Sequence, residues 1–357
     1  MIPLPPVPEL DELLDEAGAD LTARVVDLNL VRVGMRSNLP DFAGYSYFTR
    51  FVRDGAPSAD YWVDCVDLDR TPVDEARLND LADRTFRGQR FRTGFYLTSY
   101  FGAPAYLVSR GSRFAVFGRR LEKTVWPYFV KHLLTAYAAD NGLLHLKAAG
   151  FADAGGQGTL LFGRGGAGKT VFLATACAEG GAFLTNTHAL LRGRQAHGVP
   201  AVMRIRDDAC FAPLIRNAGL EGHLEDNEFK ADPARLFRTT VDSATVRSLC
   251  VVDYRPDRPY GIRELSAAQG HDFLEQFAFA VSAYGLKDDL LAHYDGDLDP
   301  YLEAYSRMRE QLRDLTERCS IFHVNMDMLN PAMRDEVLGT VLGGGLPSRR
   351  PLTGGRA

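Results

Sequence analysis

Between Gly163 and Thr170 the chain reads Gly-Arg-Gly-Gly-Ala-Gly-Lys-Thr, which meets the pattern G-x-x-x-x-G-K-[ST] at every fixed position. No other stretch limits the fold as tightly. The amides of such a loop must converge on one point, and a helix must begin there, so it works between a buried strand and a helix N-terminus. Both flanks fit. Residues 158–162 are a short apolar run of the kind a buried strand shows, and residues 171–178 predict a helix that stops near Gly180-Gly181. Strand, glycine turn and helix in that order predict an α/β core that binds a nucleoside triphosphate, with ATP and Mg²⁺ as the expected pair. The backbone of Gly163, Arg164, Gly165, Gly166, Ala167 and Gly168 would wrap the phosphates. Lys169 would reach the β/γ-phosphates, and the Thr170 hydroxyl would ligate the metal.

The rest of the chain divides by texture. Residues 1–120 predict a β-rich accessory module, led by a proline-rich segment and an acidic helix over 9–16. Its candidate strands are 24–33, 61–66, 95–100, 105–108 and 113–117, rich in β-branched and aromatic residues. Residues 121–265 form the expected nucleotide-binding core. It opens with a helix over 122–140 carrying Val125, Trp126, Phe129, Leu133, Leu134 and Tyr137 at helical spacing. Further strands are expected at 143–149, 182–184, 189–191 and 249–254. Residues 266–342 read as helical, with Phe273, Phe277, Val281 and Tyr284 along one helix and Tyr301, Tyr305, Met308, Leu312 and Leu315 along another. Asp299-Pro300 supplies an expected cap for the second. Residues 343–357 read as a loose tail.

Composition excludes some partners. A net charge of −5 gives no electrostatic case for nucleic acid, although a local basic patch is compatible with it. No apolar run approaches a membrane span, and the N-terminus lacks a basic region followed by an apolar stretch. The five cysteines are scattered and form no C-x-x-C pair, so they read as core residues of a reducing compartment. The expected location is cytoplasmic, and a homo-oligomer stays open.

From His145 to about Lys230 the sequence resembles the kinase domain of the HPr kinase/phosphorylase family and its relatives in natural-product gene clusters. The resemblance rests on Leu144-His145 before the loop strand, on the loop, on Gly180-Gly-Ala-Phe-Leu184 after its helix, and on Gly198-Val-Pro-Ala-Val-Met-Arg204. Lys230, within Phe229-Lys-Ala-Asp-Pro, adds a late basic position. The resemblance covers about a quarter of the chain, residues 143–237 at most. It implies a P-loop kinase-like core of the HPr kinase type. It also implies two adjacent aspartates after the next strand, to hold Mg²⁺ and take the acceptor's proton. Here that segment is Thr185-Asn186-Thr187-His188. Asn186 could ligate metal through its amide oxygen, and His188 could serve as the base.

Other chemistry-bearing candidates are fewer. Residues 249–253 have the apolar-run-then-aspartate form of a metal-holding strand, which makes Asp253 a candidate Mg²⁺ partner. Asp207-Asp208 is a second candidate, set against a solvated turn. Arg204, Arg206 and Lys230 are candidate phosphate contacts, set against ordinary surface cations. His145 reads as a strand residue with a satisfied ring, and Lys147 receives no role. A G-x-S-x-G elbow, an H-E-x-x-H pair and an EF-hand loop are absent from the sequence. Two functions follow. One is an ATP-dependent kinase that moves the γ-phosphoryl group to a hydroxyl of a small molecule or peptide. The other is a nucleotide-binding regulator, scaffold or slow NTPase.

Overall fold

The computed structural model describes residues 6–52, 58–82, 84–86, 92–93, 96–97, 105–119, 121, 125, 129–221, 227–277, 290–291 and 293–343. Most of the expected strand at 95–100, the first turns of the expected helix at 122–140, the end of the one at 267–286 and nearly all of the tail lie outside them. The architecture is mixed α/β, built on two large mixed sheets. Among the described residues no helix is long and apolar enough to cross a membrane.

The N-terminal sheet holds β1 (Thr22–Asp27), β2 (Arg32–Ser37), β3 (Tyr61–Asp67), β4 (Arg84–Phe86), β7 (Ala105–Arg110) and β8 (Arg113–Gly118), in the order β1-β2-β3-β8-β7-β4. A short ribbon of β5 (Arg92–Thr93) and β6 (Tyr96–Leu97) stands apart. The expected single strand at 24–33 is a hairpin instead. Asp27 Oδ1 accepts the Asn29 amide at 2.8 Å, and Asn29 takes a φ of +78°, which asparagine tolerates better than most side chains. Helices α1 (Pro8–Glu16) and α2 (Glu75–Leu81) cover the outer face of this sheet through Leu10, Leu13, Leu14 and Leu78.

The second sheet begins with β9 (Leu144–Leu146) and β10 (Ala149–Ala152). The expected strand at 143–149 therefore divides, and its halves join different neighbours: β9 pairs with β13 (Ala189–Arg192), and β10 pairs with β11 (Gln157–Phe162) and β12 (Ala182–Thr185). At the centre is β17 (Ser243–Val252), parallel to β11 on one side. Along its other side it meets β14 (Gln195–Gly198) first and then, in parallel, β19 (Ser320–Asn325), which carries β18 (Gly261–Leu265). The C-terminal region is thus not wholly helical, because β19 returns to the core sheet. A separate ribbon pairs β15 (Met203–Arg206) with β16 (Glu228–Ala231).

Both faces of the second sheet are covered, which explains the continuous apolar run before the glycine loop. On β11, Leu160 and Phe162 enter one core with α3 (Val130–Asp140), α7 (Ala267–Leu274) and α8 (Leu298–Arg318). Leu161, between them, enters the opposite core with α4 (Lys169–Ala178) and α9 (Pro331–Gly343). Two short helices, α5 (Ala212–Asn217) and α6 (Pro233–Leu236), flank β16. Asp297, not Asp299, caps α8, accepting the Asp299 amide at 3.0 Å.

The first of these cores also contains Val26, Val33, Val63 and Phe114, so the N-terminal sheet shares apolar packing with the second sheet. Polar contacts reinforce the junction. Asn29 Nδ2 donates to the carbonyls of Gly198 (3.1 Å) and Asp242 (2.8 Å), Tyr137 Oη donates to Leu30 O at 2.8 Å, and Val202 N donates to Tyr47 O at 3.0 Å.

Candidate functional site

The glycine loop lies against the end of β17, and two of its glycines have no alternative there. Gly163 has a φ of +147°, and a Cβ on it would stand 2.3 Å from Val252 O. Gly168 has a φ of +91°, and its Cβ would meet Tyr254 Cβ at 3.2 Å. Tyr254 N donates to Ala167 O at 3.2 Å, which ties the loop to the chain just beyond β17. Gly168 is also the N-cap of α4, so the helix begins at Lys169 and its first amides face the loop. Lys169 Nζ reaches back across the turn to Gly163 O (2.6 Å) and Arg164 O (2.8 Å). Burial lowers the pKa of this amine to about 8.

Asp253 follows β17, its amide donating to Val324 O at 3.0 Å. Its carboxylate meets Arg255 Nε at 3.2 Å, Arg164 Nη2 of the loop at 3.7 Å and His323 Nε2 at 3.9 Å. The aspartate expected at the end of a central strand is therefore beside the loop, and one of its partners belongs to it. Burial, followed by the charge of Arg263, lowers the pKa of His323, with Asp253 opposing.

The segment after β12 is closely tied. Asn186 Nδ2 donates to Val202 O at 2.7 Å, and Asn186 Oδ1 accepts from Thr187 Oγ1 at 3.1 Å. Thr185 Oγ1 donates to His188 O at 2.8 Å. His188 is only 1% exposed, and its Nδ1 lies 3.0 Å from His145 Nε2. His145 Nδ1 lies in turn 3.0 Å from Thr135 Oγ1, which donates to Lys131 O at 2.8 Å. That order assigns the tautomers. Thr135 has given its one proton to a carbonyl, so it accepts from His145 Nδ1–H. His145 Nε2 then accepts from His188 Nδ1–H, and Nε2 of His188 carries the lone pair. Burial, then Lys131, lowers the pKa of His145 to about 3; burial, then His145 and after it Lys131 and Lys147, lowers that of His188 well below its usual value. His145 therefore has the satisfied ring that the sequence suggested. His188 sits where it locks strand ends together rather than where an acceptor arriving from solvent would meet it.

The remaining candidates separate. Arg204 and Arg206 are largely exposed on the ribbon and share Glu228 at 3.5 Å each. Lys230 stands opposite Arg204 but turns toward the N-terminal module, with Nζ 3.1 Å from Ser46 Oγ and 4.2 Å from the centre of the Tyr47 ring. Asp208 Oδ1 accepts the amides of Cys210 (3.0 Å) and Phe211 (3.2 Å), the arrangement of a structural turn, and Asp207 is exposed beside it.

Two lysines were missed by the sequence reading. Lys147, two residues beyond His145, has its amine lowered to about 7 by burial and then by the charges of Lys169 and Arg204. Lys131, buried in α3, is lowered well below the usual lysine value by burial and then by Lys147 and Arg204. Lys147 thus feels the charges of Lys169 in α4 and Arg204 in β15, and Lys131 feels those of Lys147 and Arg204. Nearly every residue of α3 is buried, so a cation placed in that helix has no solvent side.

Oxygen donors suited to a hard divalent cation are present in the Thr170 hydroxyl and the Asp253 carboxylate. Among the described residues no cluster of three or more His, Cys, Asp or Glu forms a metal cage. Mg²⁺ in phosphate-binding sites takes one or two protein ligands and completes its shell with phosphate and water, so this donor set fits it. No protein-family model matches the chain, and no curated protein matches it in sequence.

Proposed function

We propose that the chain is an ATP-dependent phosphotransferase with a P-loop kinase-like core of the HPr kinase type, transferring the γ-phosphoryl group to a hydroxyl of a small molecule or peptide. The observation that carries this reading is the loop itself. Its backbone is pressed onto the end of a parallel neighbouring strand, and it opens a helix at Lys169, whose charge reaches the buried amine of Lys147. A triphosphate is the ligand such an arrangement suits, since it spreads several negative charges over successive donors.

Phosphoryl transfer needs positioning and charge neutralisation more than covalent help from the protein. The acceptor oxygen bonds to the γ-phosphorus while the bond to the β–γ bridging oxygen breaks, and ADP leaves. Lys169 would exchange its loop carbonyls for β/γ-phosphate oxygens. Thr170 and Asp253 would hold Mg²⁺, which supplies charge neutralisation across the phosphates. The acceptor's proton needs a base. His188 Nε2 has the right tautomer for one, but its burial and its cationic surroundings oppose protonation.

That last point favours the alternative of a nucleotide-binding regulator or slow NTPase. Where the HPr kinase resemblance implies carboxylates, Asn186 is engaged with Val202 O and His188 is enclosed. Incubation with Mg²⁺ and γ-labelled ATP, followed by mass spectrometry of candidate hydroxyl acceptors, separates the two. Label on an acceptor that disappears in Lys169→Ala supports the kinase. Label only in inorganic phosphate, or retained in ATP that still binds, supports the alternative.

A further inference from the structure

Beside the loop are two tyrosines that neither the phosphate chemistry nor the core packing requires. The rings of Tyr254 and Tyr260 lie 6.3 Å apart between centres and within 10° of parallel. Tyr260 is one of four large hydrophobic residues that stay exposed among the described residues, at 37%. Tyr254 is only half-buried, although its Cβ lies against Gly168 and its amide is bonded to Ala167 O. The pair therefore begins at the loop and extends outward from it.

The rings are held parallel by a dedicated clip. Asn325, at the end of β19 and 6% exposed, spends its whole amide on the segment between them. Its Oδ1 accepts Arg255 N at 2.7 Å, and its Nδ2 donates to Arg255 O (3.3 Å) and Pro259 O (3.0 Å). Arg258 N closes the turn on Arg255 O at 3.2 Å. The clipped residues are the immediate neighbours of Tyr254 and Tyr260, so those three bonds fix the backbone from which both rings project, and a hydrogen bond between the two phenols joins the side chains. A solvent-facing aromatic surface fixed this firmly loses little conformational freedom when a planar ligand is laid on it.

We propose that Tyr254 and Tyr260 form a stacking platform for the nucleobase of the bound nucleotide, and that the platform accepts adenine and guanine alike. The proposal rests on the loop holding the nucleotide's phosphates. Stacking recognises a π-face, which every base has, so it adds affinity with little choice between bases. The platform distinguishes a nucleoside triphosphate from inorganic polyphosphate, a discrimination the loop cannot make, because both ligands present it with the same phosphate oxygens.

The test is calorimetric titration with Mg²⁺ and three ligands, ATP, GTP and inorganic tripolyphosphate, on the wild-type chain and on Tyr260→Ala, Tyr260→Phe and Lys169→Ala. In the wild type ATP and GTP should bind within about threefold of each other and at least about fivefold more tightly than tripolyphosphate, the lower end of what one stacked base contributes. Tyr260→Ala should bring both nucleotides toward the tripolyphosphate value and leave tripolyphosphate unchanged, while Tyr260→Phe keeps the preference. Lys169→Ala should weaken all three. Equal binding of ATP and tripolyphosphate by the wild type overturns the platform and leaves the phosphate loop standing. Equal weakening of all three ligands by Tyr260→Ala also overturns it, since the ring would then act only through loop structure. A wild type that binds none of the three overturns the nucleotide site and the platform with it.

Discussion

Two buried clusters of charge in this molecule follow opposite rules. In the N-terminal sheet the cations meet anions. Asp64, fully buried, receives Arg36 through Nε at 2.6 Å and Nη2 at 2.8 Å, and Arg113 through Nη2 at 3.1 Å, while Arg113 Nη1 reaches Asp11 of α1 at 2.7 Å. Beside the glycine loop, the charges that most affect Lys147 and Lys131 are other cations. The first cluster is complete within the chain and ties α1, β2, β3 and β8 together. In the second, under the proposed function, a bound polyanion would relieve the cost of protonating those amines. Under the proposed function, the contrast separates residues kept for the fold from residues kept for a ligand, a separation that neither the residue types nor their burial make alone.

The largest effect expected from breaking this contrast is at Asp64. Asp64→Ala leaves two arginines in the sheet without their shared carboxylate, and losing one partner of a buried ion pair costs about 3–5 kcal/mol. Urea unfolding should show that loss, and calorimetry on the folded fraction should show unchanged ATP affinity. Full stability would mean that the N-terminal cluster is not structural.

Thr135→Val comes next. It leaves His145 Nδ1–H without its acceptor in a buried place, at a cost of about 1–3 kcal/mol in the same unfolding experiment. An unchanged midpoint would discard the tautomer order Thr135–His145–His188.

Lys169→Ala should do the reverse of Asp64→Ala. Stability should hold or rise, and ATP affinity should fall at least about tenfold, or ~1.4 kcal/mol. Equal ATP affinity in the variant and the wild type would remove the phosphate-loop assignment.

The smallest effect is a pH slope. The amines of Lys147 and Lys169 lie at about 7 and about 8 in the folded chain, below the ordinary lysine value of 10.5. The unfolded chain therefore binds more protons in the window from about 7 to about 10.5, and these two groups make stability rise with pH across it. A bound polyanion should raise both values again. Binding of tripolyphosphate near pH 8 should then take up a fraction of a proton, read from calorimetry in two buffers of different ionisation enthalpy. Proton release would contradict a cationic site. On the acid side the sign is set by His145, depressed to about 3. Its contribution is complete above an imidazole's ordinary 6.5 and is lost as pH falls from there toward 3.

The glycine loop was legible because its requirements are local: positive φ at fixed positions, an apolar strand before it and a helix after it. Asp253 was legible as the polar end of an apolar run. Four things were less so. The hairpin at Asn29 depends on one aspartate turning the chain, which the apolar residues Val25, Val26, Leu28, Leu30, Val31 and Val33 around it conceal. The division at residues 147–148 reflects competition between two sheet neighbours far apart in sequence. Lys131 and Lys147 gain meaning only from what tertiary packing brings beside them. Tyr254 and Tyr260 belong to no periodic pattern, and their alignment is imposed by Asn325, 65 residues beyond Tyr260.

The position of β17 between β11 and β19 also sets a schedule for synthesis. The strand that presents the glycine loop needs β17 as its neighbour, and the upper half of β17 needs β19, roughly 160 residues after β11. On a ribosome adding about 5–20 residues per second, the sheet that carries the loop is complete only on the order of ten to thirty seconds after β11 is made. Through that interval the apolar sides of β11 and β17 lack their final covering, which makes the nascent chain a client for chaperones. Premature termination between Tyr254 and Ser320 would leave the glycine loop and β17 translated but the upper half of β17 without its neighbour β19.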